Sequence, residues 1–143
     1  MARLSRAQVL TGSNRRTEYF SDFTTKFTLT PVGEQLARVT NNNSIIQALR
    51  NLIFTRPCER LFNPNFGCYL TDLLFEHNIP ENLSTGENFV RKAIETYEPR
   101  VELINVRLTP SESNEHEVFI SITFRTINNE EPNTVTFLLK RVR

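Results

Sequence analysis

Three runs in the last third of the chain constrain the fold most. Ile104, Val106 and Leu108 occupy alternate positions in the first, and Val118, Ile120, Ile122 and Phe124 do so in the second, set against Ser121, Thr123 and Arg125. In the third, Val135, Phe137 and Leu139 alternate with Thr134, Thr136 and Lys140. A period of two is that of an extended strand, whose successive side chains point to opposite faces. The segments between the runs, 111–116 and 128–133, are short and polar, as hairpin loops are. The pattern therefore predicts a three-stranded antiparallel meander with one apolar face and one more polar face.

That apolar face needs a cover, and the upstream sequence offers helices. Ile45, Leu49, Leu52 and Ile53 recur at helical spacing, with Ile46 widening the stripe. They follow Asn41, Asn42, Asn43 and Ser44, all capping residues, so a helix is expected from about 44 to 55, stopped by Arg56-Pro57. Ser84 and Glu87 have the spacing of a capping box, followed by the stripe Phe89, Val90, Ala93, Ile94 and Tyr97. Thr71 is placed to cap a short helix carrying Leu73, Leu74 and Phe75 to about Asn78. The fold class expected is α+β, helices followed by the meander.

At 143 residues there is room for one domain with a moderate core. The boundaries expected are a basic, extended N-terminal arm over residues 1–39 and a single α+β domain over 40–143. In the arm, Arg3, Arg6, Arg15 and Arg16 precede the first acid, Glu18. Further on, Phe23, Thr25, Phe27 and Leu29 would share one side of an extended segment closed by Pro31 and Gly33, either an arm lying on the body or an ordinary core strand. Over the whole chain 17 Lys+Arg face 16 Asp+Glu, so bulk charge recruits neither nucleic acid nor membrane. No apolar run nears the ~20 residues of a membrane span. With no signal-like leader, a reducing compartment is expected, with Cys58 and Cys68 as free, partly buried thiols. His77 and His116 are too few and too separated to build a metal site with them, so no metal or cofactor is expected.

The junction between the second long helix and the first strand reads Tyr97-Glu98-Pro99-Arg100-Val101. Proline disfavours helix at the residue before it, so the helix should stop at about Tyr97 or Glu98. A glutamate there faces the negative end of the helix dipole, an unfavourable placement of roughly 0.3–1 kcal/mol. Its retention, with an arginine two positions on, points to a purpose other than helix stability. Either Glu98 and Arg100 offer charge-assisted hydrogen bonds to a partner, or Glu98 pairs internally with Arg100, Arg56 or Arg60.

Two other stretches invite partners. The 56–69 loop carries Leu61, Phe62, Phe66 and Tyr69, too apolar to float freely, with a turn at Asn63-Pro64 and Gly67 for a close backbone approach. It packs on its own domain or forms a docking surface. A small sheet also has two edges, and the last strand, with Thr134, Thr136, Leu138 and Lys140 and no proline expected inside it, could accept a partner's strand. Its basic end could equally guard against such pairing.

Signs of catalysis are weak. Glu59, Asp72, Glu76 and Glu98 could supply a glycosidase pair, but scattered acids are common in any domain. Cys58 or Cys68 with His77 lacks an ordering group, and no phosphate-cradling glycine loop is present. A DNA- or capsid-binding role for the basic leader is the remaining alternative.

The run from Arg60 through Leu61-Phe62-Asn63-Pro64-Asn65-Phe66-Gly67-Cys68-Tyr69 to Glu76, then Tyr97-Glu98-Pro99-Arg100 and the meander, resembles a known family. It is the small baseplate wedge protein of contractile-tailed, T4-like phages, also called lysozyme-like and shared with type VI secretion baseplates. The resemblance covers roughly residues 40–143. It implies a fold like the linking domain of tail-sheath proteins and a structural, non-enzymatic role in the virion tail baseplate, assembled in the host cytoplasm. Implied partners are the wedge core-bundle subunits, engaged by Glu98, Pro99 and Arg100, and the tail-sheath protein, whose first ring is templated by strand addition. The tail tube is a further neighbour, and several copies would surround the tail axis. The rival within this resemblance is a peptidoglycan-hydrolysing tail enzyme.

Overall fold

The computed structural model describes residues 20–30, 35–73, 80–111, 117–127 and 129–140. In order these form strands β1 (Ser21–Phe23) and β2 (Arg38–Thr40), helices α1 (Asn42–Phe54), α2 (Leu70–Leu73) and α3 (Pro80–Tyr97), and strands β3 (Val101–Pro110), β4 (Glu117–Thr126) and β5 (Asn129–Lys140). The fold is α+β, with the meander β3-β4-β5 as one sheet and β1-β2 as a separate ribbon. The basic leader, Pro31 and Gly33, the stretch from Leu74 through His77 to Asn78, and His116 lie outside the described residues.

The alternating pattern of β4 is realised in full: Val118, Ile120, Ile122 and Phe124 are all buried. Beneath them lie Ile45, Leu49, Leu52 and Ile53 of α1 and Val90, Ala93 and Ile94 of α3, as the helical stripes require. Each large side chain so buried contributes about 1.5–3 kcal/mol. Gly86 sits where α2, α3 and β3 meet. A Cβ there would lie 3.0 Å from Leu108 Cδ2 and 3.0 Å from Leu73 Cδ1, so glycine sets the depth of α3 against the sheet.

Several local expectations are corrected. Strand β3 does not alternate throughout: its register with β4 shifts between Leu103 and Asn105. This β-bulge turns Ile104 outward, 46 % exposed, while Leu103 packs on the core and Val106 and Leu108 stay buried. Helix α3 begins at Pro80, so Ser84 and Glu87 lie inside it and form no capping box. Pro80 takes the first helical position, where a missing N–H costs nothing. Thr71 is likewise inside α2 and caps nothing. Asn41 is the N-cap of α1 but makes no side-chain cap bond; its Oδ1 accepts the Phe20 N–H at 3.5 Å instead. Most of the polar segment 128–133 is strand, since β5 starts at Asn129, so the last strand does contain a proline, Pro132, opposite Arg125.

The N-terminal segment is no core strand. It folds back as a ribbon, Ser21 opposite Thr40 and Phe23 opposite Arg38, extended by a bridge between Leu29 and Leu36. Phe27 has φ +48°, which breaks the expected alternation, and Phe23, Phe27 and Leu29 are exposed. Gln47 on α1 anchors the ribbon, donating to the Phe23 carbonyl at 2.6 Å and accepting from the Thr25 N–H at 3.2 Å.

Candidate docking site

Helix α3 ends as proline dictates. The Glu98 N–H makes the last helical bond, to the Ile94 carbonyl at 2.9 Å, and the Val101 N–H closes a turn onto the Glu98 carbonyl at 3.3 Å. Pro99 is the second residue of that turn, the position its fixed φ favours. The turn folds the two charges together. Arg100 Nε donates to Glu98 Oε1 at 2.6 Å and Nη2 to Oε2 at 2.7 Å, a bidentate fork. Glu98 is buried, 6 % exposed, which identifies the purpose of a glutamate at the wrong end of a helix: it receives the guanidinium. Of the two alternatives the sequence left open, the structure contains the internal Glu98–Arg100 pair; Arg56 instead bonds Asp72. The bond from Glu98, reinforced by the charges of Glu98 and Asp22, raises the Arg100 pKa above its ordinary value against a smaller opposing effect of burial.

What the corner presents outward is therefore Pro99, which is exposed, and the side of the half-buried Arg100 guanidinium that the fork leaves unused. Phe20 lies under that guanidinium, its ring centre 5.5 Å from Arg100 Cζ. No sequence signal pairs residues 80 positions apart.

The 56–69 loop divides between the two roles expected of it. Its base is stitched by bonds from the Cys68 N–H to the Thr55 carbonyl, 2.9 Å, and from the Cys58 N–H to the Pro64 carbonyl, 2.7 Å. Gly67 is buried with φ +124°, and a Cβ there would be driven into the Thr55 carbonyl oxygen, so this close approach requires glycine. Phe66 packs against Tyr97 at 5.2 Å and lies under Arg60, whose Cζ is 3.7 Å from the ring centre. The Tyr97 hydroxyl donates to the Asn65 carbonyl at 2.5 Å. Leu61 and Phe62, by contrast, are 92 % and 100 % exposed. Tyr97 precedes Glu98, so the loop and the corner are joined through one side chain. Of the loop residues singled out from sequence, Leu61 and Phe62 are outward, and Phe66 and Gly67 hold the loop in place.

The β5 residues singled out, Thr134, Thr136, Leu138 and Lys140, lie together on the solvent face of the sheet. Thr134 and Thr136 meet Thr123 and Ser121 hydroxyl to hydroxyl at 3.1 and 3.3 Å, and Lys140 pairs with Glu117 at 3.0 Å. Among the described residues, β5 pairs with β4 alone.

The described candidate acids are committed elsewhere. Asp72 bonds Arg56, Glu59 accepts the Arg56 N–H at 2.9 Å, and Glu98 lies in the fork; Glu76 is outside the described residues. Cys58 is exposed and Cys68 buried, both free, and burial raises the Cys68 thiol pKa, opposed in part by a hydrogen bond with the Leu70 backbone. No group of metal-ligating side chains occurs among the described residues, and no described helix is long and apolar enough to cross a membrane.

Comparison with known proteins places this arrangement. The family described as baseplate wedge protein gp25 matches residues 39–131. Baseplate wedge protein gp25 of Enterobacteria phage T4 is 33 % identical over 98 residues, 68 % of this chain and 74 % of the T4 protein. Among solved structures, a protein assigned as a tail lysozyme of Geobacter sulfurreducens superposes with a TM-score of 0.64 at 28 % identity, covering 71 % of this chain and 91 % of that one. A chain of the anti-feeding prophage baseplate gives 0.60 at 19 % identity, with 83 % of each chain covered. A chain of the type VI secretion baseplate complex gives 0.61 at 12 % identity, covering 71 % and 93 %. The last two share the fold. The family's match spans α1 through the whole of β4 and so includes the corner, the loop and the first two strands of the meander: the chain belongs to the baseplate wedge protein gp25 family.

Proposed function

We propose that this chain is a structural component of a contractile-tail baseplate that docks on the helical core bundle of the wedge and templates the first ring of the tail sheath. The docking surface is the 98–100 corner together with the tip of the 56–69 loop. One observation carries it: Leu61 and Phe62 stand in water on a loop that Phe66 and Asn65 tie to Tyr97, the residue before the braced turn. Two adjacent large apolar side chains held out by a stitched loop are poorly explained except as contacts for a partner. Sheath subunits then add a strand along the sheet edge at β5. The chain would assemble in the host cytoplasm, in several copies around the tail axis, and reside in the virion tail baseplate. Of the arm expected over residues 1–39, the described part is the β1–β2 ribbon, whose second strand runs on to Thr40 at the start of the domain.

The role is scaffolding rather than catalysis. The Geobacter neighbour, assigned as a tail lysozyme, favours a cell-wall hydrolase as the second reading, but the described candidate acids Glu59, Asp72 and Glu98 each accept from a guanidinium or a backbone N–H. A general acid and base need room to exchange protons with substrate.

The fork dictates the test. Arg100→Ala alone would strand a buried carboxylate, costing roughly 3 kcal/mol, the low end for a buried pair because Arg100 borders water. Replacing both partners by apolar residues avoids that penalty. The double variant Glu98→Leu with Arg100→Met should therefore melt close to the wild type yet fail to co-purify with wedge subunits from the same source. Retained wedge binding by a folded double variant would reduce the fork to an internal brace. In the same preparations, clearing of peptidoglycan by the wild-type chain would favour the hydrolase.

A further inference from the structure

The β1–β2 ribbon reaches the corner through Phe20, and the backbone of Phe20 is clamped by Asn41, the residue that opens α1. The Asn41 N–H donates to the Phe20 carbonyl at 2.8 Å, and Asn41 Oδ1 accepts the Phe20 N–H at 3.5 Å. A side chain at a cap position ordinarily bonds into its own helix. This one is turned to the ribbon and makes no cap bond. Asn41 has φ +52° and ψ −125°, a backbone conformation that a residue with a Cβ rarely adopts. Strain of that kind persists only where the surroundings impose it, and here they impose the crossing of ribbon and helix. The next residue is pinned as well: Arg38 Nε and Nη2 donate to Ser21 Oγ at 2.9 and 2.6 Å.

What the clamp delivers is a ring. Phe20 is half-buried against the edge of the core, and its ring centre lies 5.5 Å from Arg100 Cζ. The rest of Arg100 is fixed independently. Its carbonyl accepts the Ile127 N–H at 3.3 Å, and the fork to Glu98 takes Nε and Nη2. A fork holds the guanidinium within its own plane but leaves it free to tilt about the line of the two bonds. A ring against one face stops that tilt. Nη1, outside the fork, is then aimed as well as exposed. The family's match begins at residue 39, so Asn41 and the corner lie within it and Phe20 does not.

We propose that Phe20 is a positioning residue of the docking corner: its ring covers one face of the Arg100 guanidinium and holds Nη1 toward a hydrogen-bond acceptor on the docked subunit. This rests on the docking reading above and adds a residue to it. An arginine aimed before contact loses less freedom on binding, so the ring strengthens docking without touching the partner. Asp22, exposed on β1, contributes only its charge, the smallest of the influences on the Arg100 pKa. The ring, and not that charge, is the seat.

The test uses the full chain and reads Arg100 by nuclear magnetic resonance, first without a partner. In the wild type the Phe20 ring protons should show nuclear Overhauser contacts to the Arg100 side chain, and the Arg100 Nε–H should exchange slowly with water. Phe20→Leu keeps apolar bulk but removes the ring face, so that exchange should quicken about tenfold while amide protection of Ile53 and Phe124 changes less than about twofold. Phe20→Tyr, which keeps the face, should match the wild type, and Asp22→Asn should alter the exchange less than about twofold. With wedge subunits from the same source, Phe20→Leu should bind about tenfold more weakly and Phe20→Tyr as the wild type does. Missing contacts in the wild type, Arg100 exchange indifferent to Phe20→Leu, or an equal effect of Asp22→Asn would overturn the proposal. So would a loosened Arg100 with wedge affinity unchanged, or lost protection at Ile53 and Phe124, which would make Phe20 a core residue only. The seat is read in the isolated chain and docking with the wedge, so either can fail while the other holds.

Discussion

Glu98 shows how a residue that is locally unfavourable becomes sensible in place. At the end of α3 it opposes the helix dipole, yet its carboxylate is the acceptor that orients Arg100 and braces the turn around Pro99. The cysteines give a second contrast at this scale. Cys58 is exposed and Cys68 buried, so a maleimide should label the native protein once, at Cys58, and reach Cys68 only after unfolding. Burial holds the Cys68 proton on in the folded state, while an unfolded cysteine releases it near pH 8.5. The unfolded state then binds fewer protons at high pH, so the stability Cys68 contributes is complete below about pH 8.5 and is lost as pH rises above it. Urea melts across that range should lose less stability in Cys68→Ala than in the wild type. An equal loss in both would rule out this thiol as the source.

Among the elements, the long periodic ones are legible in the sequence and their ends are not. The stripe of α1 and the alternation of β4 are set by burial against one continuous core, and both stand as the pattern implies. The starts of α2 and α3 are hard to place because serine and threonine inside a helix resemble caps, while Pro80 marks the true start of α3. Strand β3 misleads in another way. Ile104 looks like core in a strict period of two, and one extra residue at the bulge reverses it. Ile104→Thr should therefore change stability by less than about 0.5 kcal/mol, and Ile122→Thr, at a fully buried position, by about 2 kcal/mol or more in the same denaturant series. Equal costs would place Ile104 in the core after all.

Across the whole molecule, the polar work is divided between regions built from distant parts of the chain. The corner, the loop and Phe20 gather residues from three separate segments, and β5, which among the described residues pairs with β4 alone, is built from another. Such separation suits a protein that joins different neighbours, since each contact can form without disturbing the other. Leu61→Ser with Phe62→Ser should leave the melting temperature unchanged within about 1 °C, because these side chains are outside the core. The same variant should lose wedge co-purification. A large drop in melting temperature would mean that the tip packs on its own domain.

The α+β class, the stripes that become core, the break at Pro99 and the family were all readable from the order of residues, because they rest on short-range periodicity and local backbone chemistry. Folding in three dimensions was needed to establish that Glu98 and Arg100 hold each other, that Leu61 and Phe62 face outward while Phe66 does not, and that Glu87 accepts the Leu108 N–H. Each of those depends on which groups, far apart or differently turned in the chain, arrive within hydrogen-bonding or van der Waals distance, and no local pattern encodes that distance.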